Sequence, residues 1–294
     1  MKHIKLALVQ QQCSADKQAN LRHSCAQIKE AAHNGATVVA LVELHSGLYF
    51  CQHQNTAYFD LAETIPGPCT EIIAQAARDN HVVVVASLFE KRVPGLYHNT
   101  AVVFETDGSI AGTYRKMHIP DDPGYNEKFY FTPGDLGFNP INTSAGVLGV
   151  LVCWDQWYPE AARLMTLAGA ELLIYPTAIG WDPNDSAAEQ KRQLEAWHTI
   201  QRSHAIANGI HVAAANRIGF EPDSSGRTQG AQFWGSSFIA GPQGEILAHA
   251  SADSDEIIMA GIDLKRAEDT RRIWPFLRDR RVDAYADMTK RFRI

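Results

Sequence analysis

Cysteine is scarce in this 294-residue chain. The five present, Cys13, Cys25, Cys51, Cys69 and Cys153, form an odd, uneven set with no Cys-x-x-Cys pair and no histidine pair at zinc spacing. A disulfide scaffold and a zinc ribbon are excluded, no metal is called for, and a reducing cytoplasm is the expected compartment. Long apolar runs are missing too: stretches such as Val82–Ala86 fall far short of the roughly 20 residues that span a bilayer, so no membrane partner is expected. The opening MKHIKLALVQ has a charged start but too short an apolar run for a signal-peptide core. Neither charge sign forms a block before the arginine-rich C-terminal end, and the net charge of −6 argues against nucleic acid as a partner. No Pro, Gly or Ser-rich linker interrupts the chain, so residues 1–294 read as a single domain.

What is present is a 45% hydrophobic composition able to fill a large core. Short runs rich in Val, Ile and Leu read as buried strands at Ile4–Val9, Thr37–Val42, Val82–Leu88, Val147–Cys153, Leu172–Tyr175 and Ile210–Ala214. Helical patterns lie between them. In 16–34, Leu21, Cys25, Ile28 and Ala32 recur at steps of four, three and four, and Gly35 follows as a C-terminal cap. Another helix carries Leu194, Trp197 and Ile200. Two stretches, Asn99–Tyr114 and Gly235–Ala250, read as hairpins with turns at Thr106-Asp107-Gly108 and Pro242-Gln243-Gly244. Strands that alternate with helices and also form hairpins predict an α/β protein with a mixed sheet covered by helices.

Three side chains stand out for where they sit. Cys153 closes the apolar run GVLGVLVC, and Pro159 soon after suits the first turn of a helix; a thiol at such an elbow would meet free N–H groups that favour thiolate. A buried core cysteine is the plainer alternative. Glu43 ends the apolar run TVVALVE, where a carboxylate is unexpected unless paired or functional. Lys116 follows the first hairpin and leads into DDPGYNEKFYFTPGD, a loop rich in aromatics that contains Glu127. That loop reads equally as a pocket wall and as a lid over a hydrophobic edge.

Together, Glu43, Lys116 and Cys153 in that order, with YRKMHIPDDPGYNEKFYFTPGD, VCWDQWYPEAARLMTLAGAELLIYPTAIG and RDRRVDAYADM, resemble the nitrilase superfamily of carbon–nitrogen hydrolases over nearly the whole chain. The similarity is strongest to the branch that hydrolyses N-carbamoylputrescine. The resemblance implies a four-layer α-β-β-α sandwich, a Glu–Lys–Cys site with Glu127 as second glutamate, an oxyanion donor at the Trp154 N–H, and no organic cofactor or metal. It also implies a homodimer or larger assembly, with the tail from about 265 to 294 in subunit contacts. The expected reaction splits an N-carbamoyl diamine to putrescine, carbon dioxide and ammonia, a step of polyamine synthesis.

The distal ammonium of such a small-molecule substrate wants carboxylates and aromatic faces, whereas a carbamoyl amino acid wants arginine. Tyr125, Trp157, Trp181 and Asp182 are the candidates for substrate binding; Asp182-Pro183 fits a helix N-cap equally well. Plant relatives carry Glu at the position of Asp182, a departure that touches substrate fit rather than chemistry. The alternatives are a hydrolase of another carbamoyl compound, such as β-ureidopropionate, of an ω-amide or of a nitrile. From a different class comes a non-catalytic binding module that keeps the sandwich.

Overall fold

The computed structural model describes residues 4–293. The first sheet contains β1 (Ile4–Gln10), β2 (Val38–Ala40), β3 (Val83–Val93), β4 (Leu96–Phe104) and β5 (Ile110–Arg115), with the late strand β15 (Glu256–Ile262) beside β1. The second contains β6 (Ile141–Asn142), β7 (Val147–Val150), β8 (Leu172–Thr177), β10 (His211–Asn216), β13 (Phe238–Ala240) and β14 (Ile246–His249). A small third sheet joins β9 (Gly180–Trp181), β11 (Ile218–Pro222) and β12 (Gly230–Trp234).

The two large sheets repeat one pattern. In the order β15-β1-β2-β3-β4-β5, the pairings are antiparallel, parallel, parallel, antiparallel, antiparallel. Reading β6-β7-β8-β10-β13-β14 gives the same series. Each sheet therefore has parallel strands at its centre and ends in a hairpin, as the mixed pattern of the sequence predicts.

Alternation along the strands builds the layers. Leu6, Leu8, Val38, Val83 and Val85 face the second sheet, while Ala7, Val9, Val39, Val84 and Ala86 face helices α1 (Lys17–His33) and α2 (Pro68–Asn80). In α1 the predicted stripe buries Leu21 and Ile28, Asp16 caps the N-terminus, and Gly35 takes φ +86° just past the last turn. Helices α4 (Pro159–Leu167) and α5 (Ala187–Asn208) cover the other sheet through Ala161, Met165, Trp197 and Ala205, completing an α-β-β-α sandwich. The short α3 (Glu127–Tyr130) lies in the aromatic loop, and α6 (Leu264–Ile273) leads into the tail. No helix among the described residues is long and apolar enough to cross a membrane.

Some boundaries differ from the sequence reading. β2 stops at Ala40 and β7 at Val150, so Glu43 and Cys153 each stand three residues beyond a strand, Glu43 on irregular backbone and Cys153 at the start of a 3₁₀ turn. Cys69 lies in the first turn of α2, a helix the sequence reading did not propose and which Pro68 opens. Helix α5 starts later than Asp182 suggests, with Ser186 as its N-cap.

Candidate active site

β2, β3 and β5 run in the same direction, so the segment after β2 and the residue after β5 emerge at one end of the first sheet. The segment after β7 emerges from the second sheet against them. Glu43, Lys116, Glu127 and Cys153 meet there, and none is more than 4% exposed. Lys116 Nζ donates to Glu43 Oε1 at 2.9 Å and to Glu127 Oε2 at 2.6 Å. Asn99 Nδ2 donates to the same Glu43 Oε1 at 2.7 Å and is itself oriented by Ser87 Oγ, which donates to Asn99 Oδ1 at 2.9 Å. Tyr49 OH donates to Glu127 Oε1 at 2.7 Å.

Three of the four carboxylate oxygens are thus occupied. Glu43 Oε2 is the fourth: buried and without a hydrogen-bond partner. A buried carboxylate oxygen with an open lone pair is costly in a folding core and useful as a proton acceptor.

Burial alone would pull the Lys116 ammonium pKa down, but the Glu127 and Glu43 carboxylates hold it well above its usual range. Glu127 is pushed up to about 7 by burial, against the pull of Lys116. The Cys153 thiol is raised by burial and by Glu43, more than Lys116 offsets. This corrects the expectation that the elbow favours thiolate. Cys153 opens a 3₁₀ turn, 153–157, while α4 and its dipole begin only at Pro159, and the site has excluded the water that would solvate the anion. Nucleophilic use of this sulfur therefore requires a base beside it.

The elbow itself is strained and well supported. Cys153 takes φ +42°, uncommon for a residue with a side chain. The buried Asp155 holds the turn: its Oδ2 accepts from Val152 N at 3.0 Å and from Tyr114 OH at 2.8 Å, and its Oδ1 accepts from His118 N at 3.0 Å. His118 stacks on Tyr158 at 3.7 Å between ring centroids. One carboxylate thus joins the Cys153 turn to the strand that delivers Lys116. The opening residues of such a turn, Trp154 included, keep N–H groups that the turn itself does not use.

The substrate-binding candidates are placed unevenly. Tyr125 packs on Tyr49 with ring centroids 5.5 Å apart, and its hydroxyl accepts from Gly180 N at 3.0 Å and donates to Gly180 O at 3.2 Å. The ring is offered to the site, whereas the hydroxyl is committed. Trp181 donates Nε1 to Gln190 O at 3.0 Å and packs on Trp234, fastening the loop to α5. Trp157 lies edge-on to Trp154 and has a buried Nε1 without a partner. Asp182 is exposed; it caps no helix, its Oδ1 instead accepting from Asn184 N at 2.8 Å in a local turn. No hydrogen bond or ion pair joins it to the Glu–Lys–Cys cluster.

Sequence reasoning passed over Tyr49, Asn99, Asp155, Arg217 and Glu221. Arg217 carried the same signal as Glu43, a charged residue at the end of an apolar strand; Tyr49 and Asn99 carried none. A separate apolar cavity of about 310 Å³ lies behind Leu44 and Tyr49, lined also by Phe50, Tyr58, Leu88 and Phe89, and none of the four clustered residues faces it.

A four-layer sandwich with a buried Glu–Lys–Cys cluster at the strand ends has the make-up of a hydrolase site. The carbon–nitrogen hydrolase family model matches residues 5–272, and the chain belongs to that family. It is 40% identical over 99% of its length to the whole of a citrullinase from Francisella tularensis, and 41% identical over 96% of its length to 93% of an N-carbamoylputrescine amidase from Oryza sativa. Among solved structures, a carbon–nitrogen hydrolase from Helicobacter pylori G27 matches with a TM-score of 0.97 and 54% identity, covering 99% of this chain and 100% of that one.

Proposed function

We propose that the protein is an amidohydrolase of N-carbamoyl amines, with N-carbamoylputrescine as substrate and Cys153 as nucleophile. The observation that carries the chemistry is Glu43 Oε2, buried without a hydrogen-bond partner on the carboxylate that Lys116 holds at this end of the sheets. Glu43 takes the Sγ–H proton as sulfur attacks the ureido carbonyl carbon. Lys116 Nζ and the Trp154 N–H stabilise the tetrahedral oxyanion, each worth about 3 kcal/mol. As the C–N bond to the terminal nitrogen breaks, Glu43 returns the proton and ammonia leaves, giving an S-carbamoyl enzyme. Water then adds to the thiocarbamate with Glu43 as base again, sulfur departs and regains its proton, and the carbamic acid decomposes to amine and carbon dioxide. Glu127 and Tyr49 keep Lys116 aimed. This scheme calls on no metal or cofactor.

Charge on the two loops joined at Tyr125 favours a diamine. Segments 121–126 and 180–186, joined through Tyr125 and Gly180, carry Asp121, Asp122, Asp182 and Asp185 and neither Lys nor Arg. A distal ammonium is attracted there and a carboxylate repelled. Citrulline is the second reading, favoured by the relative that bears its name. Its carboxylate would look to Arg227 on 223–229, which is tied to the 180–186 loop by Gln229 Nε2 donating to Asn184 Oδ1 at 3.1 Å. Exposed apolar groups on α4 and the tail, among them Leu164, Leu167, Ile273, Val282 and Phe292, support pairing with a second copy of the chain. The five unpaired cysteines fit a reducing compartment.

Ammonia release from N-carbamoylputrescine, citrulline and N-carbamoyl-β-alanine, run beside Cys153→Ala, tests the reading. Turnover of the diamine alone, abolished in the variant, is expected. Preference for citrulline or the β-alanine compound overturns the substrate, and activity surviving in Cys153→Ala overturns the chemistry.

A further inference from the structure

The base proposed above sits on backbone that is neither helix nor strand. Residues 43–49 are largely buried, Leu44 takes φ +49°, and a buried irregular segment must find partners for each peptide group. Side chains supply them. Gln11 Nε2 donates to His45 O at 3.3 Å and Asn20 Nδ2 to Ser46 O at 3.1 Å. One residue reaches the other three carbonyls of 43–47: Arg217 Nη2 donates to Glu43 O at 2.7 Å and to Leu44 O at 3.0 Å, which also accepts from Gly47 N at 3.3 Å, and Nη1 donates to Gly47 O at 3.2 Å.

Arg217 is in turn fixed. Its Nη1 donates to Glu221 Oε1 at 2.6 Å, both side chains are buried, and the guanidinium lies 5.3 Å from the centre of the Phe233 ring. Glu221 Oε2 accepts from Tyr49 N at 2.6 Å. One ion pair thus grips both ends of the loop. One end carries the Glu43 carboxylate, and the other carries Tyr49, whose hydroxyl holds Glu127.

We propose that Arg217, locked to Glu221, is a positioning residue: it sets the reach of Glu43 toward Cys153 and, through Tyr49, the hold of Glu127 on Lys116. The inference rests on Glu43 being the proton carrier for Cys153. Only a planar fork serves three carbonyls and a carboxylate at once, so lysine is no substitute. A displacement of the base by about 1 Å is enough to cost on the order of 10²-fold in rate.

The test is Arg217→Lys and the milder Glu221→Gln, each in the wild-type and in a Glu43→Gln background. Thermal unfolding of each variant establishes the folded fraction. Two quantities are read: kcat against KM on the carbamoyl substrate, and the alkylation rate of the Cys153 peptide by iodoacetamide, followed by mass spectrometry. In folded Arg217→Lys, kcat falls about 10²-fold while KM stays within about threefold, and Cys153 alkylation slows in parallel; Glu221→Gln shows about tenfold. In the Glu43→Gln background neither change slows alkylation further, because the group being positioned is gone. Equal slowing in both backgrounds, or wild-type kcat in both folded variants, overturns the positioning role and leaves the chemistry standing. Alkylation unaffected by Glu43→Gln alone removes the proton-carrier reading, and the positioning role with it.

Discussion

Two thiols occupy matching places in the two halves of the sandwich. Cys13 stands three residues past β1 and Cys153 three residues past β7, strands that correspond in the repeated pairing pattern. Both are buried, burial raises both thiols, and in each a nearby cation offsets part of that rise, Arg217 for Cys13 and Lys116 for Cys153. Their acceptors differ. Around Cys13 the sulfur donates to His45 O at 3.5 Å, and Gln11, Ser24 and His45 are linked among themselves, with His45 Nε2 left without a partner but no carboxylate oxygen open. Cys153 Sγ donates to Ala178 O at 3.8 Å, and in the same cluster Glu43 keeps one oxygen open. The two thiols share a place in the sheet pattern and a nearby cation, but Cys153 alone takes a positive φ and opens a 3₁₀ turn, and the carboxylate oxygen left without a partner is the feature on which its proposed reactivity rests.

The largest effect expected from this contrast is on turnover. Cys153→Ala removes the nucleophile and lowers ammonia release by about 10⁴-fold or more, whereas Cys13→Ala costs less than about tenfold, since His45 O keeps its Gln11 donor. Steady-state assays of the two purified variants decide it. Next comes Glu43→Gln, which keeps an acceptor for Lys116 and Asn99 but removes the base. Activity falls about 10³-fold with circular dichroism unchanged, and a loss below about tenfold would make the open oxygen incidental.

Glu127→Gln sharpens the comparison through stability. With its carboxyl at about 7 in the folded protein and near 4.5 when unfolded, Glu127 keeps a proton across that window that the unfolded chain has released. Its share of the unfolding free energy is therefore greatest below pH 4.5 and is lost as pH rises through 7. Buried His45, lowered to about 3, slopes the opposite way, so the quantity to take is the difference between wild type and Glu127→Gln in denaturant titrations. That difference should change between pH 4.5 and 7 and be flat above. The smallest effect is the stability of Cys13→Ala, a loss of about 1–2 kcal/mol from a small void and one weak hydrogen bond.

Much of this is legible in the sequence alone. Strands buried on both faces announce themselves as continuous Val and Ile runs, and Glu43 and Cys153 show as polar residues closing such runs. Features that depend on distant partners are not. β15 pairs with β1 from some 250 residues away, and β6 and β9 are two residues long, too short for any period. Asp182 looked like a helix cap because Pro183 follows it, yet Ser186 starts α5 and Asp182 turns onto Asn184. The elbow suggests a thiolate because local sequence shows the turn but neither the burial of the sulfur nor the two carboxylates in its cluster. Tyr49 and Asn99 acquire meaning only when the strand ends converge.

The central claim is that Cys153, deprotonated by Glu43, carries the carbamoyl group between the two half-reactions. Acid-quenched turnover of N-carbamoylputrescine, followed by mass spectrometry of the digested protein, measures it directly. The account predicts an adduct with the mass of the substrate's N-alkylcarbamoyl group on the Cys153 peptide, absent from the Cys13 peptide and absent from Glu43→Gln. Turnover with no adduct on Cys153, or with the adduct on another residue, would contradict it.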